Sequence, residues 1–419
     1  MKRPASSPGS SRRVVVTGLG VVAPNGIGHE AFWRASMEGR RVVAPLSRFD
    51  ASGYACAVAG QIEDFRAEDF VARNVVKQTD RSTHMALASC RLATEDAGLD
   101  LAREVPERVG MYFANIFGGM DFAENELWTQ SFVGPERVSA YQSIAWFFAA
   151  TQGQWSISTG IKGFGKSIVA DRAGGHQALL LGALAIRQGY ADVVYAGGFE
   201  APLVPYVYRI HESTGLLSPD RGAPEAAYRP FDAGRSGLVL AEGSAVLVLE
   251  EAGRAVRRGA RIHGEVAGGA MTFDGPDADS EALESCLRSA LANAGLDPRQ
   301  IGCVLPEGLA VAAADHREAA AISRVLGPGA AVSLPKARTG HALAAAGALD
   351  AVWALLMLSH GTFLAPVNCE CPDAGADLSL ARPGTEGAGP EAILCAGRGY
   401  GGVNAALALR AFAGLEEAA

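Results

Sequence analysis

The sequence lacks the features that would place the protein in a membrane or on nucleic acid. None of its 419 residues belongs to a run of 18 uninterrupted apolar residues, and the most apolar helical segment, 341–359, contains Asp350. Acidic side chains outnumber basic ones, 45 against 37, and no long basic run offsets them, which argues against nucleic acid as the main partner. We therefore expect a soluble cytoplasmic protein that binds neither a membrane nor nucleic acid.

Metal-ligand patterns, targeting signals and cofactor motifs are also scarce. The seven cysteines are scattered, and only Cys369 and Cys371 lie close together, with no neighbouring histidine, so we expect reduced thiols and no metal site. Residues 1–13 are basic and rich in Ser and Pro without an apolar centre, which predicts a disordered tail and not a signal peptide. The loose dinucleotide pattern G-x-G-x-x-A at 18–23 runs into a Pro-Asn-Gly turn at 24–26 instead of a helix, so no cofactor is expected.

The chain does contain strand and helix signals in alternation, twice over. In the first series, strands are predicted at 14–17, 109–114, 192–196 and 246–250, with helices at 30–38 and 83–97 among them. In the second, strands are predicted at 262–267, 303–305, 332–334 and 393–396, with helices at 280–294, 316–326 and 341–359. The aromatic, apolar run 144–150 is interpreted as core. This alternation predicts an α/β fold of two similar βαβαβ halves.

In the middle of the chain lies a sharp turn of the kind that exposes a catalytic nucleophile in several enzyme folds, but the exposed position does not hold a nucleophilic residue. Residues 168–170 are interpreted as the end of a buried strand, 173–175 are Ala-Gly-Gly, and 178–186 form an apolar run of helical length. A strand that turns sharply into a helix exposes one side chain at the helix N-terminus, where the helix dipole favours an anion or thiolate. That residue is normally Cys or Ser, and here it is Arg172. The alternative is an ordinary strand-loop-helix with a surface arginine.

Segments that span nearly the whole chain resemble the β-ketoacyl synthases of the thiolase fold. They are VVVTGLGVVAPNG at 14–26, RPFD at 229–232, AEGSAVLVLEE at 241–251, LPKARTGHALAAAGALD at 334–350 and GYGGVN at 399–404. Residues 134–175 are similar, within that superfamily, to the chain length factor, the β subunit of type II polyketide ketosynthases. The resemblance implies a five-layered α/β/α/β/α core built from an N-terminal half, 14–255, and a C-terminal half, 256–413, with tails at 1–13 and 414–419.

The resemblance also implies where catalytic residues would lie. Active ketosynthases use a Cys nucleophile, two His residues that serve decarboxylation of the malonyl extender, and a Lys that organises them. The Cys position is Arg172 and the first His position is Glu307, whereas the second His is retained as His341 and the Lys as Lys336. Backbone N–H groups near Arg172 and Tyr400 match the family's oxyanion hole.

These replacements predict four vestigial positions and no catalytic residue. A guanidinium stays protonated and cannot form an acyl-enzyme, so an oxyanion hole beside it would be idle. His341 and Lys336 are then either catalytic remnants or buried structural residues, and Arg172 with Glu307 would form an ion pair that fills the vestigial pocket. Chain length factors usually carry Gln at the Arg172 position, sometimes credited with a decarboxylase role, and Arg is not that residue.

The resemblance implies a non-catalytic subunit that pairs with an active ketosynthase α subunit, which works on a chain carried by an acyl carrier protein. In the family, a tunnel for the growing chain crosses the subunit interface, and its length is set by side chains that here are Met120, Ala123 and Leu127. Many relatives have bulky aromatic residues at the first and last of these positions, so we expect a longer or more accommodating tunnel. Two alternatives are a malonyl-thioester decarboxylase or acyltransferase that uses His341 and Lys336, and a homodimeric protein that binds acyl chains.

Overall fold

The computed structural model describes residues 12–219, 222–275, 280–383 and 390–415. Most of the two predicted tails, 1–13 and 414–419, therefore lies outside the described residues. The two described residues of the first tail are held by ion pairs. Arg12 lies 2.9 Å from Asp192, and Arg13 lies 2.6 Å from Glu265.

Strands and helices alternate along the chain as predicted, with most boundaries shifted by a few residues. The strands are β1 (Val14–Ala23), β2 (Gly26–Ile27), β3 (Val43–Pro45), β4 (Val58–Gly60), β5 (Val109–Ala114), β6 (Gly165–Ile168), β7 (Val193–Glu200), β8 (Gly243–Glu251), β9 (Gly264–Phe273), β10 (Ile301–Leu305), β11 (Ala330–Val332), β12 (Leu378–Leu380), β13 (Ala392–Arg398) and β14 (Val403–Arg410). The helices are α1 (His29–Met37), α2 (Arg73–Val76), α3 (Arg81–Asp96), α4 (Met120–Phe132), α5 (Gln142–Ala145), α6 (Ala150–Thr159), α7 (Gly174–Arg187), α8 (Pro205–Ser213), α9 (Ala252–Arg257), α10 (Glu281–Ala294), α11 (Ala312–Leu326) and α12 (Ala346–His360).

The two halves of the chain share one sheet topology. In the first half the strand order is β6-β5-β7-β8-β1, and in the second it is β11-β10-β13-β14-β9, with β12 added at the outer edge. In both halves the first two of these pairings are parallel and the last two are antiparallel. The halves meet where β1 pairs with β9, at Val15 with Glu265 and Val16 with Gly264. The predicted α/β fold of two similar halves is confirmed.

Helices on and between the sheets complete five layers. Helix α3 packs on β1 and β8, and α10 packs on β9 and β14, so each covers the outer face of one half. Helices α7 and α12 pack against each other and contact strands of both halves, which places them in the central layer. Because α12 is apolar on all sides, it needs such an environment, and 13 of its 15 residues are buried. The segment Leu343–His360 is long and apolar enough to cross a membrane by composition, but 89% of it is buried inside the molecule, as in a core helix.

Glycines allow the helices to approach the strands and each other closely. A Cβ atom on Gly20, within the rejected dinucleotide pattern, would lie 1.8 Å from the carbonyl oxygen of Ser89, so this glycine lets α3 pack on β1. A Cβ atom on Gly175 would lie 2.7 Å from the backbone nitrogen of Ala348. Gly175, the second glycine of the pair, therefore allows backbone contact between the N-terminal ends of α7 and α12.

Two predictions of burial are wrong, and both concern the same part of the chain. Strand β6 is an edge strand with a partner only on the β5 side, and Val169, just after it, is 59% exposed instead of buried. The run 144–150 is only partly core, because Trp146 and Phe147 are 47% and 56% exposed, whereas Ala145 and Ala150 are buried. Apolar character by itself does not specify whether a residue is covered by its own chain.

Candidate functional site

The turn between β6 and α7 is a single turn of 3-10 helix, Asp171–Ala173, that leads directly into Gly174. Asp171 adopts the left-handed backbone region, with φ of 48°, which is uncommon for a residue other than glycine and indicates a sharply constrained turn. The side chain that follows points inward, since Arg172 is only 4% exposed. The alternative of a surface arginine is therefore wrong.

Arg172 forms a buried ion pair with Glu307 of the second half. Its Nε lies 2.8 Å from Glu307 Oε1, and both side chains are almost completely buried. Glu307 lies in the connection between β10 and α11, where Glu318 accepts hydrogen bonds from the backbone N–H groups of Glu307 and Gly308, at 2.7 and 2.9 Å. Burial alone raises the pKa of a carboxyl group, but His341, Arg172 and Lys336 together lower the pKa of Glu307 to about 2. The carboxylate therefore stays ionised beside the guanidinium.

His341 faces the same carboxylate. Its Nδ1 accepts a hydrogen bond from the backbone N–H of Leu343 at 3.0 Å, so a neutral ring carries its proton on Nε2. That Nε2 lies 3.0 Å from Glu307 Oε1. Burial lowers the pKa of His341, which favours the neutral ring.

Lys336 is held by two acceptors. Its Nζ donates to the carbonyl oxygen of Pro306 at 2.7 Å and to the carboxylate of Asp350 on α12. Burial acts to lower the pKa of Lys336, but the nearby carboxylates of Asp350 and Glu307 raise it, so the ammonium stays charged. His176 Nε2 lies 3.9 Å from Asp350, and burial lowers the pKa of His176 to about 3. The cluster thus holds a second buried ion pair beside the first.

The roles of Asp350 and His176 were not predicted from the sequence, although the sequence around each residue contains a feature that indicates a buried polar group. Asp350 is the single charged residue inside an otherwise apolar helical segment, and a lone carboxylate in that position requires a buried cation. His176 directly follows the Gly-Gly pair at the start of α7. The predicted vestigial residues Arg172, Glu307 and His341 are brought together, with Lys336 adjacent.

The predicted oxyanion region is already occupied. The backbone N–H of Tyr400 donates a short hydrogen bond to the carboxylate of Asp171, although the Tyr400 side chain itself is exposed.

A cavity of about 210 Å³, partly open to solvent, lies beside this region. It is lined by Arg172, Glu307, Arg398 and Tyr400, with apolar walls that include Leu309 and Val311. A molecule that entered it would meet several of the chain's own charged side chains, Arg172 and Glu307 among them.

The predicted chain-length residues lie elsewhere, on α4. Met120 is its first residue, and the Asp80 carboxylate fixes the start of the helix by accepting a hydrogen bond from the backbone N–H of Phe122 at 2.8 Å. Ala123 is buried, whereas Leu127 is 54% exposed. None of the three lines the cavity beside Arg172.

Comparisons with known proteins point to one family. A model of the β-ketoacyl synthase N-terminal domain matches residues 11–255, and one of the β-ketoacyl synthase C-terminal domain matches residues 263–370. A Streptomyces coelicolor protein named actinorhodin polyketide putative β-ketoacyl synthase 2 is 40% identical, over 96% of this chain and 99% of the relative. A Streptomyces glaucescens protein named tetracenomycin polyketide synthase ketoacyl synthase β subunit is 37% identical, over 95% of this chain and 98% of the relative.

Solved structures agree with this similarity. The ishigamide ketosynthase/chain length factor superposes with a TM-score of 0.90 and 26% identity, covering 96% of this chain and 100% of that one. A type II polyketide synthase acyl carrier protein in complex with its ketosynthase, bound to the hexaketide, gives a TM-score of 0.85 and 29% identity, with the same coverage of both chains.

The buried ion pair makes a testable prediction about stability. Replacing one partner, by Arg172→Gln or Glu307→Gln, removes the nearest counter-charge of the other, and we expect each to lower the free energy of unfolding by as much as about 3–5 kcal/mol, reduced where Asp171 at 3.3 Å from Arg172, or His341 at 3.0 Å from Glu307, compensates. The double variant loses both charges, so its loss is expected to be clearly smaller than the sum of the two single losses. Denaturant unfolding of the four proteins measures this coupling.

The exposed pair of Arg103 with Asp100, at 3.1 Å, provides a matched control. Arg103→Gln is expected to change the free energy of unfolding by less than about 0.5 kcal/mol, because solvent screens the pair. Additive losses in the Arg172 and Glu307 double variant would contradict a coupled ion pair.

Proposed function

Because this chain belongs to the β-ketoacyl synthase family, we propose that it is the non-catalytic β subunit of a type II polyketide ketosynthase. In this role it is a chain length factor that pairs with an active ketosynthase α subunit in the cytoplasm, where the growing chain is carried by an acyl carrier protein. The names of the similar proteins support the assignment. The observation that carries it is the buried Arg172–Glu307 pair, at the positions that the resemblance assigns to a ketosynthase's nucleophilic Cys and first His. We retain 14–255 and 256–413 as the two halves.

The contacts of the two retained catalytic residues argue against residual decarboxylation by this subunit. Lys336 is engaged by Asp350 and by the carbonyl oxygen of Pro306. The proton of the neutral His341 ring is on Nε2, which faces the Glu307 carboxylate at 3.0 Å. The Lys336 ammonium is thereby occupied by the protein itself, and the Glu307 carboxylate lies where a substrate oxygen would have to approach His341. This geometry favours the structural interpretation of His341 and Lys336 over the alternative of a decarboxylase or acyltransferase.

Exposed apolar side chains supply a surface for a partner. Within residues 127–169, several large apolar residues are more than one third exposed: Leu127, Trp128, Phe132, Val133, Ile144, Trp146, Phe147, Ile157 and Val169. Their segments are connected, because the carbonyl oxygen of Phe148 accepts hydrogen bonds from Asn115, just before α4, and from Ser167 of β6. We call this set the apolar surface. Apolar exposure on this scale is typical of a protein interface.

The pairing proposal makes a prediction about assembly. We expect the chain alone to self-associate or aggregate, and to form a one-to-one complex when it is co-expressed with an active ketosynthase, as measured by light scattering. Trp146→Asp combined with Phe147→Asp should weaken the complex by at least about tenfold, because charges would be buried in an apolar interface.

Phe273→Asp is the matched control, since Phe273 is 72% exposed but lies outside the apolar surface. A well-behaved monomer at micromolar concentration, or equal binding by the double variant and wild type, would contradict the proposal. A stable homodimer that does not exchange with a ketosynthase would favour the homodimeric acyl-binding alternative.

The non-catalytic proposal predicts that the chain takes no acyl group. Incubation of the purified chain with a radiolabelled acyl thioester should leave it unlabelled, while an active ketosynthase treated in parallel becomes labelled on its cysteine. Cys395 is fully buried, and burial raises its pKa well above the usual value, so its thiol is not expected to react. Stable label that disappears in Cys395→Ser, or label at any other cysteine, would be evidence for an acyl-enzyme and against this proposal.

The chain-length role is proposed for one face of α4. Met120, Ala123 and Leu127 follow one another at helical spacing, and the exposure of Leu127 leaves room for a partner to complete a tunnel wall there. None of the three side chains is aromatic, and Met adapts readily to a ligand of changing shape. We therefore propose a tunnel that accommodates a longer or a stiff, linear chain.

Substitutions on α4 test this role. Ala123→Phe combined with Leu127→Phe, with the partner unchanged, should shorten the product by one or more two-carbon units, because rigid rings would block the end of the tunnel. The measurement is the mass spectrum of the products of the reconstituted complex. Asn125→Phe, on a different face of the same helix, is the control and should leave the product length unchanged. An unaltered product spectrum with full activity in the double variant would show that these residues do not limit the chain.

A further inference from the structure

Two hydrogen-bond donors and the ring nitrogen of a histidine, from three separate segments, converge on the carboxylate of Glu307. Arg172 Nε donates to Oε1 at 2.8 Å and the backbone N–H of Arg398 donates to Oε2 at 3.3 Å, whereas His341 Nε2 lies 3.0 Å from Oε1 without forming a hydrogen bond. They come from the turn before α7, from the segment before α12 and from the end of β13. Convergent donors of this kind, with one guanidinium among them, form a site for a carboxylate.

The segment that carries Glu307 is held in place independently of these donors. Glu318 accepts the N–H groups of Glu307 and Gly308, and Gly308 and Ala310 both have backbone φ values near +60°, at 61° and 57°. For Ala310 this left-handed conformation is unfavourable and requires support from the surroundings. The protein thus fixes the backbone so that its own carboxylate fills the site.

The filled site lies at the wall of the cavity described above. Arg172, Glu307 and Arg398 all line this space of about 210 Å³, and Leu216, Leu283 and Leu309 contribute apolar surface to it. A carboxylate bound by the same donors could therefore extend a short hydrocarbon chain along the apolar wall. Access from solvent is provided because the cavity is partly open.

We propose that these donors form a binding site for a small alkyl carboxylate, and that Glu307 occupies it as an internal ligand. The backbone N–H of Tyr400 is likewise occupied by the chain itself, because it donates a hydrogen bond to the Asp171 carboxylate. In the wild-type chain the site is consequently closed to external carboxylates. A further consequence is that this subunit does not bind a malonyl group, which binds to its partner instead. This consequence rests on the proposed function, whereas the assignment of Glu307 as an internal ligand does not.

Removal of the internal ligand should open the site. We expect Glu307→Ala to lower Tm, and acetate to raise it again in a saturable manner by about 2–4 °C, because a ligand that binds only the folded state stabilises it. Butyrate should act at lower concentration than acetate, since its chain reaches the apolar wall. Wild type and Glu307→Gln, in which the site remains filled, should respond to acetate no more than to chloride at equal ionic strength.

A second buried carboxylate provides the matched control. Glu265 pairs with Arg13 and Arg410 at 2.6 and 3.0 Å, but it does not line this cavity. Glu265→Ala should lower Tm without rescue by acetate or butyrate. Equal rescue of both alanine variants, or no rescue of Glu307→Ala, would overturn the proposal.

Poor folding of Glu307→Ala is itself informative. If this variant is soluble only when it is expressed and purified in carboxylate buffer, the proposal is supported; if it stays insoluble there while Glu307→Gln is soluble, the proposal is wrong. A second readout is the Nε2–H resonance of His341 in NMR spectra, which should shift on addition of acetate in Glu307→Ala only. Because acyl labelling is measured separately, a chain that binds acetate yet becomes labelled would refute the proposed function and leave this inference intact.

Discussion

A charge buried in the protein interior needs a counter-charge, and this requirement determines the centre of the molecule. Arg172 stands at the N-terminal end of α7, where the helix dipole is itself positive, so a guanidinium is doubly unfavourable there without an anion. Glu307 supplies that anion from the other half of the chain, at 2.8 Å. The pair Lys336–Asp350 repeats the same arrangement beside it. In these two pairs the buried cations and carboxylates balance each other in charge.

The internal repeat makes this pairing possible. Because both halves use the same strand order, the helices α7 and α12 occupy equivalent places and begin at the same point between the two sheets. Their backbones can meet only where no side chain intervenes, which explains Gly175 on α7 and Gly347 on α12. A Cβ atom on Gly347 would lie 2.4 Å from the ring of His176. The close approach brings residues that are far apart in sequence, such as Arg172 and Glu307, into one cluster.

The buried charged cluster and the exposed apolar surface are both consistent with the proposed function. At the centre, the chain's own carboxylates occupy the donors that a substrate would need. Along residues 127–169, by contrast, the chain leaves aromatic and aliphatic side chains uncovered, and α4 presents Leu127 on that side. In the proposed function, such a subunit contributes shape and contact area to an assembly, and its active partner carries out the bond-forming chemistry.

The sequence alone determined the fold class, the two halves and the position of the sharp turn, because strand and helix periodicity and small-residue turns are local properties. The pair Arg172 and Glu307 was predicted from the resemblance to the β-ketoacyl synthases and not from local patterns. The sequence did not determine that Arg172 points inward, that Asp171 holds the N–H of Tyr400, or that Asp350 is the partner of Lys336. These contacts join residues 14 to 229 positions apart, and only the packing of the two halves brings them together. The exposure of Trp146 and Phe147 was likewise decided by tertiary structure. An apolar residue is equally stabilised by its own core or by a second protein, and the sequence of one chain does not distinguish the two.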